Sequence, residues 1–203
     1  VKTNEGMLFV VSAPSGAGKT TLCKAITESL ENITHSISYT TRRPRPGEID
    51  GRDYYFVSEQ RFQEMIDAGD FAEYARVHGN FYGTSKRVLQ AMVREGIDVI
   101  LDIDTQGARQ IKASTGPAVF IFIMPPSMAI LEERLRNRKS DQEEEIQGRL
   151  RRAADEIREY QMYDYIVVNR DFERALSELR SIIIAERCRM KIFSSAWINE
   201  LLK

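Results

Sequence analysis

The sequence is poor in cysteine: Cys23 and Cys188 are the only two in 203 residues. A chain of this size is not built as a disulfide scaffold on two thiols. Cys23 lies within a helical pattern and reads as a small buried apolar residue. There is also no excess of charge of one sign, since 29 Lys and Arg face 30 Asp and Glu, for a net charge of -1. That balance excludes a sequence-independent binder of nucleic-acid polymers, whose phosphate contacts need a basic surplus. No apolar stretch approaches the ~20 residues that a membrane-crossing helix requires, so no membrane partner is expected. The first apolar run, residues 7–11, is too short for a secretory signal and lacks a basic flank. The cytoplasm is the expected location. Repeats and low-complexity tracts are missing as well, and one well-cored domain with inserted parts is the expectation.

What is present is an alternation. Apolar runs at residues 7–13, 97–103, 119–124 and 165–168 are rich in Val, Ile and Phe, without polar alternation. Such runs suit parallel strands buried on both faces. Helical patterns at 19–30, 85–95 and 105–114 lie between them, with longer ones at 127–138, 143–160 and 173–191. Strands alternating with helices imply right-handed βαβ units and a helix-covered parallel sheet. Two regions interrupt the alternation. Residues 38–84 are rich in Tyr, Arg and Gly, with turn chemistry at Pro44-Arg45-Pro46-Gly47 and Asp50-Gly51, and read as a small, mostly antiparallel insertion. Residues 127–152 are arginine-dense and strand-free, and read as a mobile helical flap.

Between the first strand and the first helix stands Ala13-Pro14-Ser15-Gly16-Ala17-Gly18-Lys19-Thr20, followed by Thr21. Glycines let backbone N–H groups turn inward around a phosphate, and the helix start aims its positive dipole end at the same anion. Lys19 is placed to reach β- and γ-phosphates, and the Thr20 hydroxyl to ligate Mg²⁺. Ala13 stands where the general pattern has glycine, so this position is expected not to need positive φ. The loop marks a nucleotide-binding P-loop without saying what the nucleotide is used for.

Further motifs carry a family resemblance. Ser38-Tyr-Thr-Thr-Arg42-Arg43-Pro44-Arg45-Pro46-Gly47-Glu48, then Gly51-Arg52-Asp53-Tyr54-Tyr55-Phe56, resembles the signature of guanylate kinases. So do the loop with its Pro14-Ser15, Glu73 with Gly79-Asn80-Phe81-Tyr82-Gly83-Thr84, and Leu101-Asp102-Ile103-Asp104-Thr105-Gln106-Gly107. The likeness spans most of the chain and is similar to bacterial members of that family. It implies an α/β P-loop three-layer fold with a central parallel sheet, an inserted small GMP-binding subdomain (38–84) and a helical lid (127–152). The core is then 1–37, 85–126 and 153–203. It also implies Mg²⁺-dependent phosphoryl transfer from ATP to GMP, giving ADP and GDP in purine nucleotide metabolism.

The residue roles follow the same resemblance. The ATP side comprises residues 13–21 with Arg134 and Asn169. The GMP side comprises Ser38, Arg42, Arg45, Tyr54, Glu73, Tyr82, Gly83, Thr84 and Asp104. Thr20, Asp102 and Asp104 attend the Mg²⁺, partly through water. Lys19, Arg45, Arg138 and Arg149 act on the transferring group. Elementary chemistry supports these roles. Arg42 and Arg45 can fork onto a dianionic phosphate, and Tyr54 and Tyr82 add neutral donors. Guanine offers an N1–H beside an exocyclic amine, a donor pair that suits one carboxylate, Glu73. If 102 and 104 lie in one extended strand, both carboxylates share a face, with Asp104 the stronger candidate. Guanidinium groups on the flap can stabilise a transition state that spreads negative charge over its equatorial oxygens. Arg136, Arg151 and Arg152 read as solvated charges. The acceptor oxygen is already ionised, so no general base is needed and His35 and His78 receive no role.

Two other readings compete: a P-loop kinase acting on a ribose bisphosphate, and a non-catalytic guanylate-kinase-like interaction module. The guanine-reading set speaks against the first, and the intact Gly18-Lys19-Thr20 against the second. Apolar residues near the C-terminus, among them Ile192, Phe193, Trp197 and Ile198, can dock on the core or on another subunit. A homo-oligomer therefore stays open.

Overall fold

The computed structural model describes residues 5–77, 79–114, 116–137, 142–193 and 195–203. Its centre is a parallel sheet built from β1 (Leu8–Ser12), β2 (Ile33–His35), β7 (Asp98–Asp102), β8 (Val119–Met124) and β9 (Tyr165–Val168). The order across the sheet is β2-β7-β1-β8-β9. Side-chain alternation divides each central strand between two apolar layers. Phe9 and Val11 of β1 enter one cluster with Ile100, Ile121 and Ile123, against α1 (Lys19–Ser29) and α7 (Phe172–Arg187). Leu8 and Val10 enter the other with Val99, Leu101 and Phe120, against α3 (Lys86–Arg94) and α4 (Thr105–Ser114). Each fully buried Phe, Ile or Leu contributes about 1.5–3 kcal/mol by leaving water. The non-alternating apolar runs of the sequence are the signature of this double burial.

A second sheet, ordered β4-β3-β6-β5, is formed by β3 (Tyr39–Thr40), β4 (Tyr55–Phe56), β5 (Phe71–Val77) and β6 (Asn80–Ser85). β6 runs antiparallel to both β3 and β5, while β3 and β4 are parallel. Its core is aromatic: Phe62 stacks on Phe71 at 4.4 Å and on Phe81 at 5.3 Å. Phe62 comes from α2 (Glu59–Asp67), which the sequence reading did not anticipate. Ser58 caps it by accepting from the Arg61 amide, and the Phe62–Met65 spacing was its available signal. β2 was missed too, because three residues are too few to show a period.

The arginine-dense region forms α5 (Met128–Arg136) and α6 (Glu143–Arg158), joined by their own cluster of Leu131, Leu135, Ile146 and Ala153. A short 3₁₀ turn (Glu159–Met162) leads back to β9, and another (Met190–Ile192) precedes α8 (Ser195–Leu201). Near the end of the chain Phe193 and Trp197 stack on each other, while Leu201 and Leu202 are exposed. Among the described residues, no helix is long and apolar enough to cross a membrane.

Candidate active site

The loop from β1 to α1 turns on two glycines with left-handed backbones, Gly16 at φ 95° and Gly18 at φ 92°. Positive φ strains a side chain at either position, and the space beside each is tight. A Cβ on Gly16 would sit 3.1 Å from Leu131 and Leu135 of α5, and one on Gly18 only 2.4 Å from Asn169 Nδ2. Asn169 in turn donates from Nδ2 to the Ala17 carbonyl at 2.7 Å, tying the end of β9 to the loop. Ala13 needs no such backbone: among the described residues, Asn32 alone is a non-glycine with positive φ. Gly18 caps α1 without a side chain, so the first turn of the helix faces the cavity. Residues 13–16 and 18–21 line that cavity, which measures about 530 Å³.

Lys19 reaches across the loop to β7. Its ammonium donates to the Ile103 carbonyl at 2.8 Å and pairs with Asp102 at 2.6 Å. Burial pulls its pKa down, but the Asp102 carboxylate more than offsets this, so the group is held above its ordinary value and stays charged. The Thr20 hydroxyl donates to the other Asp102 oxygen at 2.8 Å. Asp104 is placed differently from the expectation. The strand ends at Asp102, so Asp102 and Asp104 do not share a face of one extended strand. Asp104 instead caps α4, with Oδ1 accepting from the Gly107 amide at 2.8 Å.

Beside this cavity lies a smaller one of about 180 Å³, lined by Ser38, Tyr54, Glu73 and Tyr82. Asp102 and Asp104 line both. Glu73 is buried, 4% exposed, and Thr84 Oγ1 donates to it at 2.6 Å. β5 and β6 bring the two together, with Glu73 opposite Thr84 in register. Burial pushes the Glu73 carboxyl up to about 7, against the pull of Thr84. Gly107 permits its position, since a Cβ there would fall 2.6 Å from Glu73 Oε2. Gly83 points its missing side chain at the aromatic core, where a Cβ would meet Phe71 at 2.9 Å.

Arg42 is engaged by Glu48 at 2.8 Å and lies over the Tyr54 ring, 5.4 Å from its centre. The Glu48 bond raises the Arg42 pKa and lowers that of Glu48. Glu48 also accepts from the Arg45 amide, so one carboxylate organises the turn that carries both arginines.

From the flap, Arg149 lines the larger cavity, and Arg134 donates to the Asn169 carbonyl at 2.9 Å. Arg138 lies outside the described residues. Arg136 is held by Glu132 and Glu143, as suits a surface charge. Arg152 is exposed, as a solvated charge would be, and it also lines the cavity with Arg149. Sequence reasoning also passed over Arg76, at the far end of β5, and Glu156 of α6, both of which line the cavity. Glu156 had a signal, the seven-residue spacing from Arg149 on one helix face. Burial pushes its carboxyl up to about 7, with the Asp104 charge adding to the effect.

The sequence profile described as guanylate kinase matches residues 5–186. The chain belongs to the guanylate kinase family. The guanylate kinase of Geobacter sulfurreducens is 57% identical over 185 residues, covering 91% of each chain. That of Geobacter metallireducens is 56% identical with the same coverage. The crystal structure of guanylate kinase from Anaplasma phagocytophilum superposes with a TM-score of 0.77 at 35% identity, covering 95% of this chain and 92% of that one. The SH3-kinase fragment of tight junction protein 3, at 8% identity and a TM-score of 0.51, shares the fold alone.

Within this guanylate kinase fold, the two cavities adjoin, and Asp102 and Asp104 line both. The Thr20 hydroxyl and the Asp102 carboxylate are hard oxygen donors 2.8 Å apart. That donor set fits Mg²⁺, which keeps most of its octahedral shell for water and substrate phosphates.

Proposed function

We propose that the chain is an ATP:GMP phosphotransferase in which ATP occupies the phosphate-loop cavity and GMP the smaller one. The observation that carries this reading is Glu73: a buried carboxylate bonded by Thr84, at a cavity that shares Asp102 and Asp104 with the phosphate loop. Guanine N1–H and its amine can satisfy that carboxylate, whereas a ribose bisphosphate has no such edge and would leave it with Thr84 alone.

In this reading residues 38–84 bind GMP, 127–152 close over the phosphoryl group, and the rest is the core. Ser38 bonds the base with Glu73 and Thr84, and Tyr54, Tyr82, Arg42 and Arg45 take the GMP phosphate. Arg42 turns toward that phosphate from its pair with Glu48. Lys19 and the loop amides hold the β- and γ-phosphates of ATP, while Arg134 and Asn169 flank the adenine side. Thr20 and Asp102 would hold Mg²⁺, with Asp104 through water; when bound, the ion neutralises charge on the phosphates. Arg149, with Arg138, stabilises charge on the transferring group. Closure excludes the water that would otherwise hydrolyse ATP. The reading places the protein in the cytoplasm, where both nucleotides are made and used.

The test is ADP release from ATP and Mg²⁺ with GMP, AMP, CMP or UMP offered separately. Turnover with GMP alone is expected. Comparable turnover with AMP would overturn the role of Glu73, and turnover with none of the four would overturn the reaction.

A further inference from the structure

The insertion that walls the smaller cavity also reaches the larger one. Along β5, Glu73, Ala75 and Val77 line the smaller cavity at every second residue, as one face of a strand does. Arg76, between them, lines the phosphate-loop cavity, and Val77 lines both. A guanidinium of the second sheet therefore stands beside the junction of the two cavities. The way it is held differs from that of other cations nearby. Lys19 pairs with Asp102 at 2.6 Å, Arg42 with Glu48 at 2.8 Å and Arg149 with Glu145 at 3.5 Å. Among the described residues, Arg76 has no carboxylate partner. Its Nε donates to the Gly79 carbonyl at 3.4 Å, a long hydrogen bond, and its guanidinium lies 5.4 Å from the ring centre of Phe81, the residue opposite it on β6. A carbonyl and a ring keep the side chain in place without neutralising its charge.

We propose that Arg76 binds the γ-phosphoryl group of ATP at the junction of the cavities and stabilises its charge during transfer to GMP. The inference rests on the reading of the two cavities as the ATP and GMP sites. Val77, Asp102 and Asp104 line both cavities and so mark the junction. The γ-phosphoryl group is the part of ATP that must lie there to meet its acceptor. A planar guanidinium suits it, because two parallel N–H groups match two phosphoryl oxygens. In the transfer, an oxygen of the GMP phosphate forms the new bond to the γ-phosphorus. The bond to the β,γ-bridging oxygen breaks, and ADP leaves with that electron pair. Arg76 donates hydrogen bonds to the equatorial oxygens throughout and gives up no proton. Because it belongs to the insertion, the body that holds GMP also completes the ATP site.

The test compares the unaltered chain with Arg76→Gln, which removes the charge and the fork but keeps a polar side chain. At saturating GMP, kcat/KM for ATP and Mg²⁺ is expected to fall by about 10²-fold, as for the loss of one donor to a transferring group. Calorimetric Kd values for GMP and for ADP, which has no γ-phosphoryl group, are expected to stay the same. A kcat/KM within twofold of the unaltered chain overturns the proposal. So does a GMP Kd weakened by the same factor, which would make Arg76 a brace for the hairpin through Phe81. An ADP Kd weakened by that factor overturns the assignment to the γ-phosphoryl group. Should the variant fail to fold, the Nε–H resonance of Arg76 in the unaltered chain serves instead. It must shift when a non-hydrolysable ATP analogue, Mg²⁺ and GMP are added together, and a stationary signal overturns the proposal. An active unaltered chain with an equally active variant sinks this inference alone; an unaltered chain that turns over no GMP sinks the kinase reading with it.

Discussion

The two adjoining cavities at Asp102 and Asp104 are built from different parts of the chain's chemistry. The larger one is built around backbone, a loop turned by Gly16 and Gly18 and the open end of α1, with Lys19 pinned to Asp102 and charged side chains such as Arg149 completing the lining. The smaller one is lined by side chains, Ser38, Tyr54, Tyr82 and the buried Glu73, which Thr84 holds by a hydrogen bond. Backbone amides recognise an anion whatever carries it. Buried side-chain polar groups recognise one pattern of donors and penalise every ligand that leaves them unpaired. In the proposed reading the larger cavity therefore sets that a phosphate is handled, and the smaller one sets whose.

The strongest way to break this division is Lys19→Ala, which removes the point charge and leaves Asp102 with only the Thr20 hydroxyl. Turnover is expected to fall by about 10³-fold or more, as for the loss of a principal electrostatic contact. Calorimetric binding of GMP should survive, and its loss would mean that the two cavities are not separable.

Glu73→Gln sharpens the same division from the other side. The kcat/KM for GMP is expected to drop by about 10²-fold or more, with ATP binding unchanged. A pH series adds a signature. The Glu73 carboxyl stands at about 7 when buried, against 4.5 for the free group. Its folded pKa is raised, so its contribution to stability is full below the unfolded value and is lost as pH rises through about 7. Guanine's donors favour the ionised form, so GMP binding releases a proton below that value. GMP affinity in the unaltered chain should weaken by up to about tenfold per pH unit below 7 and level off above it. In the Gln variant this component of the pH dependence should vanish.

A smaller effect is expected from Asn169→Ala, which deletes the bond to Ala17 and opens space beside Gly18. The stability lost should be about 1–3 kcal/mol, read as a lower Tm, together with a raised KM for ATP. An unchanged Tm with a raised KM would mean that the side chain serves the nucleotide and does not brace the loop.

Much of this molecule was legible in the sequence because its signals are local. The phosphate loop spells its own backbone through glycine spacing. Strands β1, β7 and β8 announce themselves by apolar runs, since burial on both faces leaves no room for polar alternation. The pieces that escaped are short or non-local. β2 forms because β7 offers it an edge, with Ile33 opposite Asp98, and three residues carry no period of their own. α2 was hidden inside a turn-rich insertion, although Ser58 and the aromatic residue at 62 were in view.

By itself the sequence determined the chemistry on offer: a phosphate loop, a carboxylate suited to guanine, a supply of arginines and the periodicities of the core. Tertiary structure alone decided which of these groups meet. It ended β7 at Asp102, giving that carboxylate to Lys19 and Thr20 and leaving Asp104 to cap α4. It brought Asn169 across 152 positions to Ala17, and carried Arg152 and Glu156 to the cavity. The reason is physical: periodicity and propensity act within a few residues along the chain, whereas a binding site is set by distances through space.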